Sequence, residues 1–181
     1  VLAIGAHFDD VELGCGGALL LHRRRGDELT VFVATTSDFA DPRGRPVRAA
    51  GEPRREGEAA ARLLGAELVC GGFPTNDLAC DEALVKALRL ILDEQEPEVV
   101  YTHWTGDPHL DHRHLALASL SAARHAPTLL MYRSSWYDGA EEFLGRVYVD
   151  VSAVMAEKLE LLSAYHSEDR RRGEQWRQFL R

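Results

Sequence analysis

Lysine is nearly missing from this sequence: Lys86 and Lys158 stand alone among 21 basic residues, and arginine carries the rest of the positive charge. Positive charge is itself in deficit. A formal net charge of −8 and a pI near 5.5 argue against a general binder of nucleic acid or of an anionic membrane surface. The triplets Arg23-Arg24-Arg25 and Arg170-Arg171-Arg172 read as a solvated helix end and a tail. Cysteine is scarce, and Cys15, Cys70 and Cys80 share no Cys-x-x-Cys spacing. That argues against a disulfide framework or a thiolate zinc site and makes the reducing cytoplasm the expected compartment. No apolar run approaches membrane-spanning length, and no positively charged segment with an apolar core opens the chain. Gly14, Gly16 and Gly17 lack the Gly-x-Gly-x-x-Gly spacing of a dinucleotide loop, so close packing of helix on sheet is their expected use.

What is present is a pair of short polar clusters, His7-Phe8-Asp9-Asp10 and His109-Leu110-Asp111-His112. The first follows the apolar run Val1 to Ala6, and the second comes shortly after the β-rich run Val99 to Thr102. Imidazole and carboxylate are the side chains that bind a borderline divalent ion such as zinc without thiols. A histidine with two carboxylates offers two ligands and a spare base. Histidines three apart can complete the coordination and leave one imidazole for acid or electrophile work. Either cluster alone is a modest signal, because such residues also cap helices and solvate turns.

A length of 181 residues suits one domain, expected over 1–181. Strands are expected at Leu29–Thr35, Glu67–Cys70, Val99–Thr102, Thr128–Tyr132 and Arg146–Val151, besides the opening run. Helices are expected at Leu13–Arg25, Arg54–Leu64, Glu82–Glu94, His112–Arg124 and Ala153–Tyr165, with a short one within Arg170–Arg181. Ser37–Gly51 reads as a long loop of the kind that serves as a lid or a binding loop. The alternation implies an α/β, three-layer Rossmann-like domain with a mainly parallel sheet in the order 3-2-1-4-5. That order sets strands one and four side by side where the winding reverses. It would bring His7, Asp9 and Asp10 next to His109, Asp111 and His112 across about a hundred residues of sequence.

At these residues the chain resembles the LmbE-like (PIG-L) family of zinc-dependent N-deacetylases that act on N-acetylglucosaminyl compounds. The first motif of that family, Ala-His-Pro-Asp-Asp followed by Ile/Val-Glu-Leu-Gly-Cys-Gly-Gly, is matched by Ala6 to Gly17. The second, His-Pro-Asp-His after a Gly-Asp turn, is matched by Gly106 to His112. Weaker echoes are Glu56, Gly72-Phe73-Pro74, Val149 to Ser152, and Lys158 with Ala164 to Ser167. The resemblance implies His7, Asp10 and His112 as zinc ligands, with Fe2+ as an alternative ion, and leaves a coordination position open. It implies Asp9 as the general base. It implies His109 as the imidazole that stabilises the oxyanion or protonates the leaving amine, and Asp111 as the group that orients a histidine. The implied partner is a small N-acetylated sugar or sugar conjugate, with neither nucleic acid nor membrane, and with room for a homo-oligomer.

Phe8 and Leu110 replace the two motif prolines, Thr75 stands where relatives often have an acid, and Glu168 where many carry Gln. Asn76 or Asp77 is then the expected sugar contact. His22, His125 and His114 are expected to stay outside the site, and Arg54 and Arg55 to begin a helix. His103 reads equally as pocket wall or substrate contact. Three functions fit: deacetylation of an N-acetyl sugar, metal-dependent hydrolysis of another amide, carbamoyl or phosphoester bond, and a non-catalytic metal or sugar-binding module. Retention of Asp9 beside every candidate ligand weighs against the third.

Overall fold

The computed structural model describes residues 1–135 and 137–173. Its strands, in chain order, are β1 (Leu2–Gly5), β2 (Thr30–Thr35), β3 (Phe39–Ala40), β4 (Pro46–Arg48), β5 (Glu67–Phe73), β6 (Val99–His103) and β7 (Thr128–Tyr132). The helices are α1 (Asp10–Gly14), α2 (Gly16–Arg24), α3 (Glu52–Leu64), α4 (Glu82–Gln95), α5 (Leu110–Ala122), α6 (Met155–Ser163) and α7 (His166–Arg172). Five strands form a parallel sheet in the order β5-β2-β1-β6-β7. Counted within that sheet alone the order is 3-2-1-4-5, as expected, and β1 lies between β2 and β6.

Successive β1 and β2 side chains point to opposite faces and into separate cores. Ala3, Val31 and Val33 pack with Leu19, Leu20, Leu64 and Leu161. Leu2, Ile4, Phe32 and Ala34 pack with Leu84, Leu88, Ile91 and Leu115. Helices thus cover both faces, which is why β1 and β2 are uninterrupted apolar runs. No helix among the described residues is long and apolar enough to cross a membrane.

The helix expected over Leu13–Arg25 is two helices that meet at Cys15 (φ −130°, ψ 5°). The glycines around this break serve close approach. A Cβ on Gly14 would stand 2.0 Å from the Tyr132 ring, and one on Gly17 would stand 2.6 Å from Val151. The long loop contains an antiparallel hairpin, β3–β4. Its turn is tied by Asp41, whose carboxylate accepts from the Arg43 and Arg45 N–H groups. Strands of two and three residues are too short to show periodicity. The strand expected at Arg146–Val151 does not form, although its valines alternate: Val147 and Val149 are exposed, and only Val151 packs against the core. The short helix expected within Arg170–Arg181 is met in part by α7, and residues 174–181 lie outside the described residues.

Phe8 is buried under α3, and its N–H donates to Ser37 Oγ at 2.9 Å. A proline there could not make that bond. Gly57 on α3 makes room for the ring, since a Cβ would lie 2.1 Å from Phe8. Gly→Ala in a helix ordinarily stabilises by about 1 kcal/mol. Gly57→Ala is instead expected to destabilise by about 1–3 kcal/mol, seen as a lower denaturant midpoint. An unchanged or raised midpoint would mean that Phe8 does not depend on that space.

Candidate metal centre

The site lies at the carboxyl ends of β1 and β6, where the sheet reverses its winding and ligands of open α/β sheets bind. The loop after β1 delivers His7, Asp9 and Asp10. Asp9 adopts a left-handed conformation (φ 117°), an uncommon one for a non-glycine residue, directly before α1 begins. The start of α5 delivers the other cluster, with His109 as N-cap accepting the Asp111 N–H on Nδ1.

Three residues converge through four donor atoms. His7 Nδ1 lies 3.1 Å from His112 Nε2 and 3.3 Å from Asp10 Oδ2, and Asp10 Oδ1 lies 3.3 Å from His112 Nε2. Tetrahedral zinc with bonds near 2.0–2.1 Å sets neighbouring donor atoms about 3.3 Å apart. The donor set and its spacing therefore fit a zinc-sized ion. Taken with one donor atom per residue, all within 4.8 Å of one another, the groups that could hold an ion are His7 with His109 and His112, and Asp10 with His103 and His112, so the expected ligands are divided between two groups that share His112.

Hydrogen bonds fix the direction of each ring. Asp111 Oδ2 lies 2.9 Å from His7 Nε2, so that a His7 ring that has given up one proton keeps the other on Nε2 and offers its Nδ1 lone pair to an ion. Asp111 is itself held by the N–H groups of Asn76 and Leu78, at 2.8 and 3.2 Å. Asp107, fully buried, accepts from the His109 N–H and from Ser135 Oγ, and its Oδ1 stands 3.3 Å from His112 Nδ1. Ser134 Oγ donates to Asp10 at 3.0 Å.

The charges follow from these contacts. Burial works against a charged His7, but hydrogen bonds to Asp10 and Asp111 outweigh it and raise the imidazole to about 9. Burial also opposes ionisation of Asp10, yet His112 and His103 hold its carboxyl well below the usual range. Asp9 goes the other way: burial, then the charges of Glu168 and Asp10, push it well up, against Arg48 and Arg172. No hydrogen bond from a described residue occupies the Asp9 carboxylate, which lines a cavity of about 230 Å³ with His7, His109 and His112. Burial and the charges of His112 and His7 lower His109 to about 4, so the ring is neutral near pH 7. With Nδ1 accepting, its proton sits on Nε2 and is available as a donor.

All six expected site residues thus meet at one place. His103 proves to be neither wall nor sugar contact. It is fully buried, accepts the Ala6 N–H on Nε2 at 3.1 Å, and stacks on His112 with ring centroids 4.0 Å apart. Asn76 and Thr75 line the cavity, but the bond described for Asn76 goes from its backbone to Asp111. Arg54 pairs with Glu58 on the surface of α3, as a helix-start residue would. His22 bonds Asp27 and the Tyr101 hydroxyl, away from the site, and His114 bonds the Leu78 carbonyl. Sequence reasoning missed Asp107 and Ser134. The Gly106-Asp107 turn was visible as part of the second motif, but Ser134 had no signal.

Residues 2–123 match the family model described as PIG-L, GlcNAc-PI de-N-acetylase. The chain belongs to this family. The uncharacterized deacetylase YaiS of Escherichia coli (strain K12) is 30% identical, over 75% of this chain and 75% of that protein. The conserved protein TT1542 from Thermus thermophilus shares the fold with a TM-score of 0.80 at 24% identity, covering 98% of this chain and 83% of that one. The N,N'-diacetylchitobiose deacetylase from Pyrococcus horikoshii does so at 0.80 and 22%, covering 99% and 74%. Both motifs of this PIG-L chain fall inside the matched segment, whereas α6 and α7 lie beyond it.

The raised affinity of His7 for its proton gives a signed expectation for the metal-free protein. A group near 6.5 when unfolded and about 9 when folded stabilises the fold fully below 6.5 and loses that contribution as pH rises through 9. Thermal unfolding from about pH 6 to about pH 10 should show a decline on the order of 1–3 kcal/mol that Asp111→Asn flattens. Equal slopes in both proteins would show that Asp111 does not hold the His7 proton.

Proposed function

We propose that this chain is a zinc-dependent hydrolase that removes the acetyl group from an N-acetylglucosamine-like sugar or sugar conjugate. The observation that carries the reading is the approach of His7 Nδ1 and His112 Nε2 to each other at 3.1 Å and to the two Asp10 oxygens at 3.3 Å, beside an Asp9 carboxylate that no described hydrogen bond occupies. Membership of a de-N-acetylase family and likeness to proteins named as deacetylases support the choice of bond.

His7, Asp10 and His112 would hold the ion, with one coordination position left open. When bound, the ion supplies Lewis acidity that polarises the acetyl carbonyl and makes water a better nucleophile. Asp9 accepts the proton of the attacking water. Its raised proton affinity suits a group that must take a proton near neutral pH. His109, neutral and with its proton on Nε2, donates to the carbonyl oxygen as charge builds there, or passes the proton to the leaving nitrogen. Asp111 acts through His7, holding its ring so that Nδ1 faces Asp10 and His112. Water adds, the C–N bond breaks, and acetate and a free amine leave.

Asp9→Asn is expected to keep one zinc per chain and lose about 10²–10⁴-fold in turnover. His112→Ala should lose the metal. Metal analysis of the purified variants, with acetate release from a panel of N-acetylated sugars, reads both. A fully active Asp9→Asn would remove the base assignment, and a wild type that binds no zinc would remove the site. Phosphate release from phosphoesters without acetate release would favour a different hydrolase.

A further inference from the structure

Asp9 carries its carboxylate on a backbone that a non-glycine residue rarely adopts, with φ 117° and ψ −24°. Such a conformation costs free energy and persists only where the surroundings over-determine it. The two peptide planes that flank the Asp9 Cα show what does so. The plane after it is held at both groups: the Asp9 carbonyl accepts the Leu13 N–H at 2.9 Å, and the Asp10 N–H donates to the His7 carbonyl at 3.3 Å. The plane before it contains the Phe8 carbonyl, which accepts from Arg48 Nη1 at 3.2 Å. Among the described residues nothing accepts the Asp9 N–H, so the bond from Arg48 is what fixes this plane.

Arg48 is itself held from three sides. It is the last residue of β4 and is buried, with Nε donating to Ser167 Oγ at 3.0 Å and Nη2 to Glu56 at 3.3 Å, while Nη1 stands 3.7 Å from Glu168. Glu56 in turn accepts the Ser167 N–H at 2.7 Å, which locks α3 to α7 around the guanidinium. The charges beside it are balanced, since Asp9, Glu56 and Glu168 stand against Arg48, Arg171 and Arg172. An arginine that served only to neutralise Glu56 and Glu168 would have no reason to reach into the loop after β1. A rigid fork of five donors can serve a hydroxyl, a carboxylate and a backbone carbonyl at once, and an ammonium group cannot.

We infer that Arg48 is a positioning residue for Asp9, an inference that rests on the reading of Asp9 as the base. Acting through the Phe8 carbonyl, it holds the Phe8–Asp9 peptide in the plane from which the Asp9 carboxylate faces the cavity shared with His7, His109 and His112. The β3–β4 hairpin thereby delivers a clamp to the catalytic loop. Helix α7 gains a part in turnover through Ser167 and Glu168, although it lies beyond the segment 2–123 that matches the family model.

The test joins kinetics to amide hydrogen exchange, both on the full chain. With zinc loaded, and with the N-acetylated sugar that the wild type turns over best, Arg48→Gln should keep its zinc and hold KM within about twofold while kcat falls about 10–100-fold, the scale set by misplacing a catalytic group by about 1 Å. Arg48→Lys, which keeps the charge without the fork, should recover part of that loss. In an Asp9→Asn background the same Arg48→Gln exchange should cost no more than about twofold, because residues that act as a unit are not additive. In the metal-free chain, Arg48→Gln should speed exchange at the Phe8, Asp10 and Leu13 amides and leave β1 unchanged. Since Arg48→Gln strands two buried carboxylates, the pair Arg48→Gln with Glu56→Gln, which removes one charge of each sign, is measured beside it and should behave alike. Loss of zinc, a rise in KM with kcat unchanged, an equal loss in both backgrounds, or exchange that stays the same at the three amides would overturn the positioning role. An Asp9→Asn protein as active as the wild type would instead sink the base assignment, and the exchange pattern would then decide by itself whether Arg48 holds the loop.

Discussion

Asp10 is a carboxylate with 4% exposure, and an anion so deeply placed is tolerable only if its surroundings answer it. They do so from several elements at once. Its own loop supplies the His7 N–H at 2.7 Å, α5 supplies His112, and the segment after β7 supplies Ser134. The two that come from elsewhere in the chain, His112 and Ser134, reach Asp10 because β1 and β6 are neighbours in the sheet. The burial of one charge and the strand order are therefore two aspects of one constraint, and the geometry of the remaining site residues follows from it.

The outer layer of the site follows the same logic. Asp111 and Asp107 each touch a histidine on one side and backbone N–H groups on the other. Each carboxylate thus transmits the rigidity of the backbone to an imidazole. Histidine rings stack in a column, His103 on His112 and His112 on His109, so that a shift of one must move the others. Protons are divided unevenly between this column and the His7 ring beside it. His7, paired with two carboxylates, holds its proton tightly, whereas His103 and His109, pressed by burial and by the neighbouring imidazole of His112, give theirs up. Neighbouring side chains of one type thereby acquire different chemistry from their partners alone.

Much of this was legible in the sequence because it was written in local patterns. Uninterrupted apolar runs mark doubly covered strands, and amphipathic stretches ending in glycine mark the helices between them. Alternation of the two fixes the layer architecture, and the reversal of winding then brings the polar clusters together. What stayed hidden depends on contacts between distant segments. The β3–β4 hairpin is too short for periodicity, and Arg48 shows its role only where Glu56, Ser167 and Glu168 arrive from other helices. Ser134 follows β7 in a segment with no motif. The false strand at Arg146–Val151 makes the converse point: alternating valines are a strand signal only if a sheet edge accepts them.

Phe8 has one more consequence. Its ring, its N–H and the space above it tie the loop that carries Asp9 to three separate positions: its own, Ser37 ahead of the hairpin, and Gly57 on α3. These residues form a single interlocking unit, so exchanges among them should be strongly non-additive. Placing proline at position 8 alone would strand the Ser37 hydroxyl and empty the space beneath α3. A coordinated change at all of them could reset the loop without unfolding the sheet. A path between this loop and a proline-containing one therefore runs through partner substitutions remote in sequence, and the aspartate at its tip is carried along passively by whichever packing solution is in force.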